Sequence, residues 1–312
     1  MMLFRATVQP LSSFTSPLQS DTLFGAFCWS YKYLYGEDAL LEMLDKCIKD
    51  CPQVTFSNAF PEGYLPVPMG VYDTERVRYG EVKKDEAKKA YQENKKYKKC
   101  TMIAREGFRK LQTGSRNGYS RYLGIDQTTQ VGNIHNMTGR LDGMVGTSDE
   151  GGSLFVVDES FADQNSKFEI YILTELKKER IEQILNLMFE LGIGGDKSVG
   201  KGHFKLINIS EEEELSSIKN PNAYMALSNF IPERTDPVDG WYKTFVKYGK
   251  LDREYAAGEY PFKKPLLYLQ AGAVFRIDEI KEFYGKIMTD ISAVPGVLVN
   301  ACTIAVPMRI PK

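Results

Sequence analysis

Histidine is nearly missing from this 312-residue sequence, which has only His135 and His203. Metal clusters and histidine acid–base pairs therefore have little to draw on. Cysteine is sparse as well: Cys28, Cys47, Cys51, Cys100 and Cys302 are odd in number and scattered, and they read as reduced thiols rather than a disulfide framework. Cys47 and Cys51 can share a helix face, but neither histidine has neighbours at zinc-ligand spacing, so no metal and no cofactor is expected. No apolar run approaches the length of a bilayer span, which leaves no membrane partner to expect. Residues 1–10 alternate like a strand and lack the basic segment, long apolar stretch and cleavage site of a secretory signal, so a cytoplasmic location is expected. Nor is there an excess of one charge. Forty basic residues stand against 41 acidic ones, so any nucleic-acid site must be local.

What is present is enough apolar material for a real core, 43% of residues, in a chain whose length suits two domains better than one. Residues 3–8 alternate as a strand. A polar, turn-forming stretch follows, and then a helix capped by Ser20 or Asp21 whose Leu23, Phe24, Phe27, Tyr31 and Leu34 form one face. A second helix covers 38–49, with short strands at 53–56 and 64–67. Residues 74–99 read as an exposed helical insertion, since Lys83, Lys84, Lys88, Lys89, Lys95, Lys96, Lys98 and Lys99 crowd together with little to bury. From 113 to 152 a polar excursion or loose hairpin carries Arg116, Arg121 and Arg140. Strands at 153–157 and 167–173, a helix at 175–191 and a strand at 204–209 complete the first unit. The second is read as strands at 223–230, 242–248 and 265–277, a helix at 278–291 and a strand at 297–306. The expected class is thus α+β: two ferredoxin-like (RRM-like) domains, 1–209 and 210–312, the first with a thumb-like insertion and a lysine-rich helical insertion, spanning about 74–152.

The most informative segment is the glycine-rich loop at 192–204. Glycines at 192, 194, 195, 200 and 202 leave the main chain nearly bare, so its amides can approach a ligand and cradle an anion. Lys197 and Lys201 add charge and Ser198 a hydroxyl. Residues 195–201 nearly spell a phosphate-binding nucleotide loop, but Gly202 stands where a magnesium-binding Ser or Thr belongs, and the loop follows a helix and opens a strand instead of the reverse. A dinucleotide fingerprint fails at Lys197. A helix C-cap needs one or two glycines, not five. A loop lying along a ribose-phosphate backbone accounts for the glycines, lysines and serine together. Beyond it, His203 and Phe204 offer rings that can stack on an unpaired base, with Phe204 equally suited to the core. The amides at the helix start near Ser20 and Thr22 can hold a phosphate or a ribose hydroxyl, while Asp21 suits capping better.

The loop resembles that of the RAMP proteins of CRISPR systems, which lies between the last helix and last strand of an RRM-like fold. More narrowly, Pro17-Leu18-Gln19-Ser20-Asp21-Thr22-Leu23-Phe24-Gly25, the run from Asn133 through His135 and Asn136 to Arg140, residues 152–155 and residues 269–275 are similar to the fourth Csm subunit of type III-A effector complexes. That group binds the 5′ handle of the guide RNA. The resemblance implies handle contacts for Ser20 to Thr22 and for Gly194, Gly195, Lys197, Ser198, Gly200, Lys201, Gly202, His203 and Phe204. It implies a thumb near target RNA around Asn133, His135, Asn136 and Arg140, with Arg116 and Arg121 on the same excursion. Met137 stands where the family usually has an arginine before the Thr-Gly pair. The implied partners are the crRNA 5′ handle, target RNA near the thumb, the large polymerase-cyclase subunit and the adjacent backbone RAMP subunit. Two rivals stand beside this non-catalytic expectation: a metal-independent guide-processing endoribonuclease using His203, and a pure protein scaffold in which the segment 82–99 and the C-terminal domain dock partner proteins and RNA contacts are incidental.

Overall fold

The computed structural model describes residues 1–70, 99–115, 122–124, 129–138, 152–163 and 165–310. The lysine-rich segment up to Lys98, together with Arg116, Arg121 and Arg140, lies outside the described residues. In chain order the first part holds β1 (Met2–Pro10), α1 (Ser20–Tyr35), α2 (Glu37–Lys49), β2 (Val54–Phe56), β3 (Phe60–Pro61), β4 (Tyr64–Pro66), β5 (Met102–Ala104), α3 (Arg105–Gln112), β6 (Leu123–Gly124), β7 (Thr129–Thr138), β8 (Gly152–Phe161), β9 (Phe168–Thr174), α4 (Lys178–Glu190) and β10 (Phe204–Glu211). The main sheet runs β10-β1-β9-β2, antiparallel throughout, with β3 also on β9.

The periods in the sequence explain this layer. Alternation along β1 buries Phe4, Ala6 and Val8 on one face, and the four-residue spacing of Leu23, Phe27 and Tyr31 on α1 turns them to the same core. Ile181, Ile184, Leu185 and Met188 of α4 fill the rest of it, and each such fully buried side chain contributes roughly 1.5–3 kcal/mol. The first helix closes at Gly36, whose backbone has φ +91 and whose amide donates to the Lys32 carbonyl at 2.8 Å. Its start differs from the expectation: Gln19 is the cap residue and supplies no side-chain bond. The Ser20 amide is taken at 3.1 Å by Asn58 Oδ1 instead.

The polar excursion contains an ordered ribbon, with β7 and β8 paired over ten residues from Thr129–Phe161 to Thr138–Gly152. Helix α3 was not expected at all; its eight residues are too few to show a period above the surrounding noise.

The second half holds β11 (Ala223–Ala226), β12 (Gly240–Trp241), β13 (Thr244–Lys247), β14 (Leu266–Leu269), β15 (Val274–Arg276), β16 (Phe283–Met288) and β17 (Val299–Met308). Its sheet runs β12-β15-β11-β17-β16, again antiparallel, and β13 pairs with β14 as a separate ribbon. The helix expected at 278–291 is corrected to β16. Ile280, Tyr284, Ile287 and Ile291 do fall at helical spacing, but residues 283–288 pair one for one with β17, and Tyr284 stacks on Tyr224 at 3.9 Å between ring centroids. A short apolar run is ambiguous in period, and the neighbouring strand decides it. Gly285, at φ +98, lets the Ala301 carbonyl oxygen come within 2.5 Å of where a Cβ would sit. All four α-helices among the described residues therefore precede residue 191, and the second unit does not repeat the helix-bearing order of the first. The strand expected over 265–277 is likewise two strands, broken at the positive-φ Gly272.

Strand β9 joins the halves. It is buried along its whole length, with Ile170 and Ile172 in the first core and Tyr171 and Leu173 in a second cluster shared with Met225, Val274, Ile304 and Val306. The outer face of the first sheet thus packs on the second half.

Burial of so many titratable groups has a pH consequence. It pushes up the thiols of Cys28, Cys47 and Cys302 and the phenols of Tyr171, Tyr224 and Tyr268. A raised folded-state value favours folding most while the group is protonated. That stability is complete below the ordinary thiol and phenol values of 9.0 and 10.0 and is lost as pH rises above them. Lys263, drawn down by burial, works in the opposite sense but is a single group. The urea midpoint is expected to hold from pH 7 to 8.5 and to fall steeply by pH 10.5; a flat profile would contradict the burial of these groups.

Candidate RNA interface

The glycine loop follows α4 and is folded back on itself. The Ile193 amide donates to the Gly202 carbonyl at 2.8 Å, and the Gly202 amide donates to the Ser13 carbonyl at 2.8 Å. A single 3₁₀ turn, Lys197–Val199, forms the tip between Asp196 and Gly200, both in the left-handed region. Gly195, Ser198, Val199 and Gly200 are exposed, Val199 at 71%. Along the tip, the amides of Asp196, Lys197 and Ser198 donate no hydrogen bond among the described residues. The bare backbone expected from the glycines is thus open to solvent.

The two loop lysines are not open. Lys197 Nζ is ion-paired with Asp252, and Lys201 Nζ sits 3.1 Å from Glu159 Oε2 and 3.7 Å from Asp196 Oδ2. Expected as phosphate ligands, both instead brace the loop, because a half-buried ammonium is held by the nearest carboxylate. Glu159 lies on β8 and also accepts from the Ser13 hydroxyl. This one carboxylate therefore ties the segment before α1, the glycine loop and the β7–β8 ribbon together. Two regions picked out separately in the sequence meet here.

The start of α1 forms the other side. Gly195 donates its amide to Ser16 Oγ at 3.3 Å, and His203 donates its amide to Ser12 Oγ at 3.0 Å. Lys247 of β13 reaches Gln19 Oε1 and Asp21 Oδ1, each at 2.7 Å, and Thr22 Oγ1 at 3.4 Å. Asp21 is therefore an ion-pair partner and not a cap. Lys247 and Asp252, absent from the sequence-based site, carry no local signal; only the fold brings residues 240–264 against α1. That segment holds Lys243, Lys247, Lys250, Arg253, Lys263 and Lys264 among seven aromatic side chains, a composition that a charge-and-ring scan could have raised.

Three expected contacts change role. Ser20 is buried, and its hydroxyl donates to the Asn229 carbonyl at 3.2 Å. Phe204, 3% exposed, packs between Phe14 and Phe189 at 5.6 and 6.1 Å, so no ring face is open to a base. His203 is half-buried with Nδ1 2.8 Å from the Glu190 carbonyl oxygen, which leaves Nε2 as its outward edge. Asn133, His135 and Asn136 lie on β7, on the ribbon leading away from the loop. Among the described residues no cluster of three metal-ligating side chains occurs and no helix is long and apolar enough to cross a membrane.

No family model matches the sequence, and no curated protein does. Solved structures do match. A chain of the crystal structure of a Csm1-Csm4 cassette in complex with pppApA is 17% identical, with 99% of both chains covered and a TM-score of 0.62. A chain of the Csm3-Csm4 subcomplex in the type III-A CRISPR-Cas interference complex is 16% identical, covering 99% of this chain and 100% of that one, with a TM-score of 0.63. The subunit named in both assemblies is Csm4. The fold is Csm4-like. A further Csm1-Csm4 cassette, in complex with cA4, matches equally at 17% identity and a TM-score of 0.61. Likeness over the full length at such low identity is a likeness of fold, which many hydrophobic sequences of the same patterning can share.

Proposed function

We propose that this chain is the non-catalytic RNA-anchoring subunit of a type III-A CRISPR effector complex, holding the 5′ handle of the crRNA between a Csm1-like polymerase-cyclase and a Csm3-like backbone subunit. The observation that carries the reading is the exposed glycine-loop tip, with unpaired amides, held against the start of α1 in a chain of Csm4-like fold. Such a tip offers N–H donors to phosphate and 2′-hydroxyl groups without needing a particular base. In this reading the β-α-β-β-α-β order of β1, α1, β2, β9, α4 and β10 is the RRM-like half, and the β7–β8 ribbon is the root of the thumb beside target RNA.

The absence of turnover belongs to the same proposal. His203 uses one ring nitrogen on a main-chain carbonyl, and burial makes Cys28, Cys47 and Cys302 poor nucleophiles. Ser198 is exposed at the tip, so Ser198→Glu puts a negative charge beside the phosphates without disturbing a packed group. Crosslinked or copurifying guide RNA is expected to fall about tenfold, with an unchanged melting curve. Undiminished retention would place the handle elsewhere. Incubation of the wild-type chain with repeat RNA is expected to leave it intact; a metal-independent product that disappears in His203→Ala would establish the cleavage reading instead.

A further inference from the structure

The second half reaches the glycine loop through the end of the β13–β14 ribbon. Beyond the two strands the ribbon narrows to a neck. There the Lys263 amide donates to the Gly249 carbonyl at 2.8 Å, Lys250 pairs with Phe262, and the Leu251 amide donates to the Pro261 carbonyl at 2.7 Å. Residues 252–260 form a strap past that neck, opened by a 3₁₀ turn at Arg253–Ala257. Asp252 caps the turn: its Oδ1 accepts from the Arg253 amide at 2.9 Å, which leaves Oδ2 for the ion pair with Lys197. One carboxylate thus serves both the strap and the loop.

Arg253 fastens the strap to α1. Its backbone stands at φ +54, a left-handed conformation unfavourable for any residue with a Cβ. The guanidinium lies over the rings of Trp29 and Tyr33, at 5.5 and 5.1 Å from their centroids, two side chains four residues apart on one face of α1. Its Nε is buried with no hydrogen-bond partner among the described residues, so the aromatic faces hold the cation. On the loop side, Lys197 opens the tip turn and folds back across Gly192, its Cγ 3.2 Å from where a Cβ there would sit. The Lys197 side chain is 16% exposed, so its charge is turned to the strap and not to solvent. We propose that Asp252 is a positioning residue for RNA: through Lys197 it fixes the tip amides against α1, and the lysine acts on the ribose-phosphate chain only by holding those amides in place. This role rests on the RNA-holding function proposed above, and its expected sign is opposite to that of simple electrostatics. Deleting a carboxylate beside a phosphate site ordinarily tightens binding, by removing repulsion and freeing a cation. Here it should weaken binding, because the donors lose their preorganisation.

The test measures the affinity of the full-length chain for a fluorescent repeat-derived RNA at several salt concentrations. Asp252→Asn keeps the oxygen that caps the turn and loses the charge. Affinity is expected to fall roughly five- to tenfold with an unchanged melting curve, since a partly exposed ion pair adds little to global stability. Lys197→Gln should lose as much, and the double variant no more than about twofold beyond either single one. The slope of log affinity on log salt should stay that of the wild type in all three, because no phosphate contact is removed. Asp252→Glu, which restores the charge, should recover binding to within about twofold of wild type. Equal or tighter binding by Asp252→Asn, or a Lys197→Gln slope shallower by about 0.7, would identify Lys197 as a direct phosphate ligand and overturn the positioning role while the RNA-holding function stands. Additive losses in the double variant, or a loss of affinity matched by a lower melting temperature, would overturn that role as well. A wild-type chain that binds no RNA at any salt would overturn both.

Discussion

Gly202→Ala is expected to destabilise the chain by roughly 3 kcal/mol and to abolish guide retention. At φ +75 any Cβ is strained, and here it would sit 2.2 Å from the Ile193 carbonyl oxygen, which is main chain and cannot swing aside. The loop would have to open, breaking the bonds from Ile193 to the Gly202 carbonyl and from Gly202 to the Ser13 carbonyl. Gly200→Ala is the internal control. Its φ of +86 carries the same backbone penalty, but nothing lies within 4 Å of the added carbon, so about 1 kcal/mol is expected. Chemical denaturation of the two variants separates strain from collision. Equal shifts would show that the approach of Gly202 to Ile193 is looser than 2.2 Å implies.

Arg105→Ala is expected to cost about 3–5 kcal/mol, far from the RNA site. The guanidinium lies 2.8 Å from Glu212 Oε2 and 3.5 Å from Glu169 Oε2, carboxylates that are 2% and 6% exposed, and it also donates to the Tyr171 hydroxyl. Removing it strands two buried negative charges. Arg5, at 3.6 and 3.7 Å from the same carboxylates, takes up part of that charge and places the effect toward the lower end. Arg109→Ala provides the comparison: its partner Glu214 is solvated, and the pair at 2.7 Å should be worth less than about 1 kcal/mol. The urea midpoints of both variants read the difference, and a small loss in Arg105→Ala would mean that water reaches the cluster.

Much of the first half was legible before the fold was known. The α1 and α4 stripes and the alternation of β1 are local periods that survive in any context, and five glycines in eleven residues demand a loop whatever surrounds them. The second half was read less well. Residues 283–288 fit a helix and a strand equally, and only pairing with β17 resolves them. The glycine loop lies between a helix and a strand as its sequence indicates, whereas its lysines, assigned to RNA, are ion-paired with Asp252 and Glu159, since a positive charge in a sequence does not disclose the carboxylate near it.

The sequence by itself determined where the bare main chain lies, which helix precedes it and which strand follows. Tertiary structure alone decided what each side chain there does: Lys197 and Lys201 brace the loop, Phe204 fills the core, and Ser20 is buried. Backbone conformation is set by neighbours along the chain, whereas desolvation and ion pairing are set by neighbours in space, such as Asp252 and Glu159, whose distance in sequence leaves no local trace.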